Sequence, residues 1–182
     1  MKKTFFTIYL FAFSLLAFSQ EDESVLKKDI ISADIGLLSV WLNYERHLSG
    51  DFTLKSSLGV GFGLEKGSNI DGTIYSFTPI VRAEPRYYYN FNRRIEKGKK
   101  TVYNAANYFA LTAQYLFKPF ITTNSPYRTY QGEASLVPKW GIKRTIGQRF
   151  NFEFAFGVGL SFSKAETNGH VAIDLRFGYY IK

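Results

Sequence analysis

Residues 150–163 read F-N-F-E-F-A-F-G-V-G-L-S-F-S. Phe150, Phe152, Phe154, Phe156, Val158, Leu160 and Phe162 occupy every second position, with polar, charged or small residues between them. Successive side chains of a strand point to opposite faces, so one face of this stretch meets an apolar medium and the other meets polar groups. The period returns along most of the chain. Ile31 to Leu37, Val40 to Glu45, Phe52 to Leu64, Val81 to Tyr89, Phe109 to Phe117, Ala134 to Lys143 and Val171 to Ile181 alternate in the same way. About eight such segments predict an all-β fold, a closed antiparallel up-and-down β-barrel, and the alternation of lipid-facing with lumen-facing residues makes it a transmembrane one.

The chain has 182 residues, one domain's worth for a barrel. Its 18 Phe and 13 Tyr exceed what a water-soluble domain needs and suit the aromatic girdles of membrane barrels. With no cysteine, a disulfide framework, a thiolate nucleophile and a lipidated cysteine are all excluded. Met1-Lys2-Lys3, the apolar run Phe5 to Phe18 and the small residues Ala17 and Ser19 form a secretory leader, residues 1–19, cleaved before Gln20. A run of about 14 residues is short for a membrane helix. Export through the Sec pathway, a short periplasmic segment at 20–28 and an outer-membrane barrel at 29–182 follow as the expected organisation. Loss of Lys2 and Lys3 with the leader lowers the formal charge from +8 to +6. For an exported chain the relevant anions are envelope lipids and polysaccharide, so nucleic acid is not an expected partner. Arg93, Arg94, Lys97, Lys99 and Lys100 concentrate that charge in one predicted turn, read as a solvated turn in preference to an anion site.

An even strand number puts both termini at one end. Turns near Gly50, Lys97 and Gly147 then lie at that periplasmic end, and loops near Ser39, Asn69, Ser125 and Thr167 at the other. Pro85 and Pro138 fall inside strands, where proline removes a ladder donor; a bulge or local break is expected at Pro85. The inward face carries Asp34, Glu45, Glu84, Glu133, Glu153 and Asp174 with Lys55, Arg82, Arg86, Lys139, Lys143 and Arg176, six acids against six bases. Eight strands leave an interior only wide enough for side chains, so these groups are read as a salt-bridged lumen and not as an ion pathway.

Catalytic readings are weak. His47 and Ser49 form an H-x-S pair that resembles the His and Ser of outer-membrane lipid A deacylases, but they fall at a predicted periplasmic turn, the wrong end for outer-leaflet lipid A. His170 has no Cys, Asp or Glu at ligand spacing, so no metal or other cofactor is expected. Gly59-Val60-Gly61-Phe62-Gly63 lies within a strand with no helix after it, so it is not a phosphate loop. Tyr127, Arg128 and Tyr130 are candidate interfacial anchors in an outer loop.

Val40-Trp41-Leu42-Asn43-Tyr44-Glu45-Arg46-His47-Leu48, the glycine-alternating strand after it and Glu84-Pro85-Arg86-Tyr87-Tyr88-Tyr89-Asn90 resemble the small outer-membrane β-barrel proteins of Bacteroidota-type bacteria. The resemblance spans most of the mature chain, and the architecture is similar to OmpA/OmpX-type eight-stranded barrels. It implies location and fold and carries no catalytic residues. The chain departs from such barrels in ending Tyr179-Tyr180-Ile181-Lys182 and not on an aromatic residue.

The preferred function is therefore a structural or surface-interaction barrel of the envelope, non-enzymatic, monomeric and surrounded by outer-membrane lipid. A lipid-binding or lipid A-modifying barrel is the alternative. A further one is an exported soluble barrel of lipocalin type, with the faces inverted around an apolar ligand. Gly59, Gly61, Gly63, Gly157 and Gly159 on the charged face favour a narrow polar interior.

Overall fold

The structure, a computed structural model, describes residues 26–65, 74–121, 132–164 and 166–182. The leader at 1–19, the start of the segment at 20–28, the loop around Asn69 and the candidate anchors Tyr127, Arg128 and Tyr130 lie outside the described residues. Among the described residues there are nine strands: β1 (Asp29–Gly36), β2 (Ser39–Ser49), β3 (Phe52–Glu65), β4 (Ile74–Tyr87), β5 (Asn107–Leu116), the two-residue β6 (Phe120–Ile121), β7 (Glu133–Ile146), β8 (Phe150–Phe162) and β9 (Thr167–Tyr180). Eight of them make the ring β1-β2-β3-β4-β5-β7-β8-β9, every pairing is antiparallel, and β9 closes it on β1. Closure leaves no free sheet edge.

Burial follows the period of two. In β8, Asn151, Glu153, Ala155 and Ser161 are buried inside, whereas Phe150, Phe156, Val158, Leu160 and Phe162 are exposed outside. The charges point inward and the apolar residues outward, which removes the inverted, lipocalin-type arrangement.

Several strands are longer than the alternation indicates. β4 begins at Ile74, not Val81, and β9 at Thr167, not Val171. Both extensions are held by ladders, to Glu65 of β3 and to Phe162 of β8. Beyond the apolar belt neither face must be greasy, so pairing continues while the hydropathy period fades. Pro85 makes no bulge. Its strand stays in register, Ala83 opposite Ala113 and Arg86 opposite Ala110, but the β4–β5 ladder is interrupted between those pairs. Pro138 interrupts the β7–β8 ladder likewise, between Leu136↔Leu160 and Lys139↔Gly157. A missing N–H breaks one ladder while the other neighbour keeps the strand aligned. True bulges occur elsewhere. Leu48 is the extra residue between His47↔Thr53 and Ser49↔Phe52, and the chain slips by one between Leu116 and Phe120, where Pro119 intervenes and β6 pairs with β4.

The turn at Gly50 and the one at Gly147 both require positive φ (51° and 59°), which glycine adopts without a steric penalty. Both lie at the end of the barrel that carries the termini. At the opposite end the two-residue β1–β2 hairpin exposes Leu37 and Leu38, and the Leu38 carbonyl accepts a bond from Phe62 N–H at 2.8 Å. That bond satisfies a turn carbonyl where an apolar surround could not.

The β4–β5 connection departs most from expectation. Its cations Arg93, Lys97, Lys99 and Lys100 are exposed, as expected of a solvated turn, but the connection as a whole is more than a turn. A short helix α1 (Phe91–Glu96) is followed by a segment that folds back against the barrel end. Phe91, Asn104, Ala105 and Ala106 are buried, and Ala106 accepts a bond from Lys143 N–H at 2.9 Å. Leu26, Tyr88, Phe91, Ala106, Tyr108, Ala110 and Ala155 form one apolar cluster there. The last residues of the segment 20–28 thus belong to the barrel: Leu26 is in that cluster, and Lys28 accepts a bond from His47 N–H at 2.8 Å.

Candidate functional site: the charged lumen and its two ends

The inward charges converge into two groups. Toward the termini, Arg86 is the hub. Its guanidinium reaches Glu153 at 2.6 Å and Glu45 at 3.9 Å and pairs closely with Glu84. Glu153 also takes Lys55 at 3.0 Å and the Tyr108 hydroxyl at 2.9 Å, and Glu45 takes Lys143 at 2.7 Å, the Tyr88 hydroxyl at 2.9 Å and the Asn104 amide at 3.1 Å. Thr112 donates to Glu84 at 2.6 Å. Asp34 receives Asn43 at 2.8 Å and Asn151 at 3.0 Å, with Lys55 at 3.7 Å. Each of these carboxylates has at least two polar partners, the condition under which a buried ion pair is tolerated.

Strand geometry explains the convergence. Glu45 and Lys55 are paired across β2–β3, Lys55 and Glu84 across β3–β4, and Lys143 and Glu153 across β7–β8. Opposite signs thus stand side by side around the ring, within one layer of the lumen, although these cross-strand neighbours do not themselves form the ion pairs. The lumen is narrow enough for pairs across it, Lys55 to Glu153 and Lys143 to Glu45.

Toward the opposite end, Asp174 alone meets Lys139 at 2.6 Å, Arg176 at 3.1 Å and Arg82 at 3.2 Å. Arg82 also donates to Gln114 at 2.9 Å. The guanidinium carbons of Arg82 and Arg176 lie 4.5 and 4.4 Å from the Trp41 ring centre, a cation–π arrangement that holds two like charges beside one acid. Gly59 makes room for that indole, since a Cβ there would strike the ring, and Gly141 does the same for Tyr108. Glu133 stands apart at the rim, half-buried, and none of the described ion pairs includes it.

The space left differs between the groups. Among Asp34, Asn43, Glu45, Lys55, Lys143 and Glu153 the cavity is about 10 Å³, room for about one water. Around Arg82, Gln114, Ser135, Lys139, His170 and Asp174 it is about 180 Å³ and opens toward the end away from the termini. His170 faces that polar mouth, and among the described residues no group of His, Cys, Asp or Glu could hold a metal. At the terminal end His47 Nε2 lies 2.8 Å from the Gly50 carbonyl, at the bulge that separates it from Ser49.

Two contributors carry no alternation signal. Asn104 lies in the β4–β5 connection; its side chain accepts from Lys27 N–H at 2.7 Å as well as reaching Glu45. Tyr103 and Asn104 both have positive φ (56° and 60°), unusual without glycine. Tyr103 stacks on Tyr180 with ring centres 4.0 Å apart and Lys27 above it, so packing holds the strained pair in place. Tyr180, in phase with Asp174 and Arg176 on β9, is buried at the terminal end. The clue was local: Tyr103-Asn104-Ala105-Ala106 sets two very small residues beside an Asn, a residue that tolerates left-handed backbone.

No family model matches the chain, and no curated protein matches it. Among solved structures, the chain is similar to the Yersinia pestis outer membrane protein Ail, determined as a backbone structure in a phospholipid bilayer nanodisc. That likeness has a TM-score of 0.45 and 14% identity, and covers 85% of this chain and 100% of that one.

Proposed function

We propose that the protein is an integral outer-membrane β-barrel with a side-chain-filled lumen, acting as a structural or surface-interaction component of the envelope and not as an open pore. Leader-directed Sec export, monomeric insertion among outer-membrane lipid and kinship with small Bacteroidota-type, OmpA/OmpX-like barrels are parts of that proposal; no catalytic role or cofactor is assigned.

The observation that carries it is the pairing of a charged lumen, whose terminal half leaves a cavity of only about 10 Å³, with an apolar outer belt. Leu42, Leu58, Leu111, Val158 and Ile173 occupy the middle of that belt, all exposed. Toward the termini it is bordered by the ring pairs Phe52–Tyr87 (4.8 Å), Tyr89–Phe109 (5.1 Å) and Phe150–Tyr179 (5.5 Å). Toward the other end stand Phe62–Phe77 (5.5 Å) and Tyr115–Phe117 (4.9 Å). Phe52 and Phe62 are ten positions apart on β3. At about 3.3 Å per residue and a tilt of about 40°, that separation is about 25 Å along the barrel axis, the height of the apolar band of outer-membrane barrels. A water-soluble protein does not expose a continuous apolar surface of this kind.

Fractionation of cells making the full chain tests location: recovery in outer membranes, with heat-dependent migration on gels, is expected, and a soluble periplasmic product would overturn it. Planar-bilayer recording tests closure. Inserted barrels should leave the baseline conductance unchanged, whereas steady unitary steps would mean that the ion network yields a path.

A further inference from the structure

A third cavity, of about 360 Å³, lies outside the barrel wall at the terminal rim, between α1, Asn107 of β5 and Arg144 of β7. Arg93, Arg94, Lys97, Lys99 and Arg144 line it together with Tyr89, and no carboxylate does. This is the reverse of the lumen, where every described cation of the network has an acid within reach. Two of these guanidiniums are already aimed. Arg94 is tied to the Ala105 carbonyl at 2.9 Å and the Lys100 carbonyl at 3.0 Å, and Arg144 to the Lys143 carbonyl at 2.8 Å and Asn107 Oδ1 at 2.6 Å. Those bonds are to neutral acceptors and leave the positive charge uncompensated. Partial burial lowers the Arg94 guanidinium from its ordinary value, the direction that an incoming anion would reverse.

The height of the cavity identifies its ligand. Tyr89 belongs to the terminal aromatic girdle, stacked near Phe109 at 5.1 Å, and its hydroxyl accepts bonds from Trp140 Nε1 at 2.9 Å and Asn107 Nδ2 at 3.2 Å. Girdle aromatics mark the headgroup level, so the cations stand where lipid phosphates lie. Guanidinium forks match phosphate oxygens in pairs, and lysines add charge without a fixed geometry. We propose that this cavity binds the phosphate of an anionic headgroup, supplied by lipid of the leaflet at the terminal end. The proposal rests on the membrane-spanning reading of the barrel for the lipid as its source; the phosphate chemistry itself does not.

The test uses the mature full-length protein in nanodiscs of phosphatidylcholine with increasing phosphatidylglycerol, with bound lipid read by native mass spectrometry. The wild type should retain phosphatidylglycerol in preference to phosphatidylcholine. Arg93→Gln with Lys97→Gln, both on the exposed side of the helix, should weaken that preference by about fivefold per cation removed. Lys28→Gln with Lys182→Gln removes the same charge from the same rim outside the cavity and should leave it unchanged. In a second arm, glycerol phosphate is titrated into neutral nanodiscs and Trp140 fluorescence is followed in a Trp41→Phe background. Saturable binding there, lost in the Arg93/Lys97 variant, upholds the phosphate site with a soluble source. Equal lipid retention by both double variants, with no fluorescence response to glycerol phosphate, overturns it. Failure to enter nanodiscs would instead strike the membrane reading, and the glycerol phosphate titration, run in detergent, would still decide the site.

Discussion

The two halves of the lumen use the same chemistry under different solvation. In the terminal half, Glu45, Glu84 and Glu153 are buried against Arg86, Lys55 and Lys143, two tyrosine hydroxyls complete their shells, and the apolar cluster around Phe91 and Ala106 closes the end. In the other half Asp174 faces three cations alone beside a cavity of about 180 Å³. One half is sealed by a loop that folds in and the other stands open to a mouth. The contrast teaches that the strands bring the charges together, whereas the connection between β4 and β5 decides how dry they are, and dryness sets what each pair is worth.

Removing the hub should have the largest effect. Arg86→Met leaves Glu84 without an ion-pair partner and Glu153 with Lys55 alone, and is expected to cost about 3–5 kcal/mol, measured by urea unfolding of the vesicle-inserted protein through its heat-dependent gel migration. A cost under about 1 kcal/mol would mean that water reaches the terminal half and that the contrast is false. In the open half, Asp174→Asn strands Arg82, Lys139 and Arg176, of which Arg82 and Lys139 border the cavity and can be reached by water and counterions. It should cost about 1–3 kcal/mol, and added salt should recover part of the loss because solvated charges are screened within about 10 Å at moderate ionic strength. A loss indifferent to salt would mean that this half is sealed as well.

Two glycines sharpen the same contrast. Gly141→Ala drives a methyl into the Tyr108 ring, which is fully buried and tied to Glu153, so overpacking of about 1–3 kcal/mol is expected. Gly59→Ala meets Trp41, whose ring is held beside Arg82, and Arg82 borders the cavity of the open half and can yield into it, so the cost should be smaller in the same unfolding assay. The reverse order would place the rigid wall at the mouth. The smallest change is Asn104→Ala. It removes the side-chain bonds to Lys27 and Glu45 at a cost of about 1 kcal/mol, and hydrogen exchange of the Ala105 and Ala106 amides should quicken while the strand amides do not respond. Uniform quickening would show that the connection and the barrel open as one unit.

How far the site could be read in advance depended on distance along the chain. That Glu45, Lys55, Arg86 and Glu153 face inward is written in a period of two, which needs only neighbouring residues. Their partners are not: Lys55 meets Glu153 and Lys143 meets Glu45, each 98 positions away, and a period carries no information across such a gap. Nor could alternation locate the basic cavity. Arg93 lies on α1 and Lys97 directly follows it, but Arg144 comes from β7, and a run of lysines and arginines by itself reads as a solvated turn.

From the amino-acid order alone came the alternating faces, the number of barrel strands and the end at which the Gly50 and Gly147 turns lie, because each follows from local sterics and from the period of the side chains; which face turns inward was settled by burial in the structure. Tertiary structure alone decided that the 88–106 connection turns back to close one end, which acid meets which base, and where five cations are left without a carboxylate. Those outcomes depend on ring closure and on packing between residues remote in the chain, and neither leaves a periodic trace in the sequence.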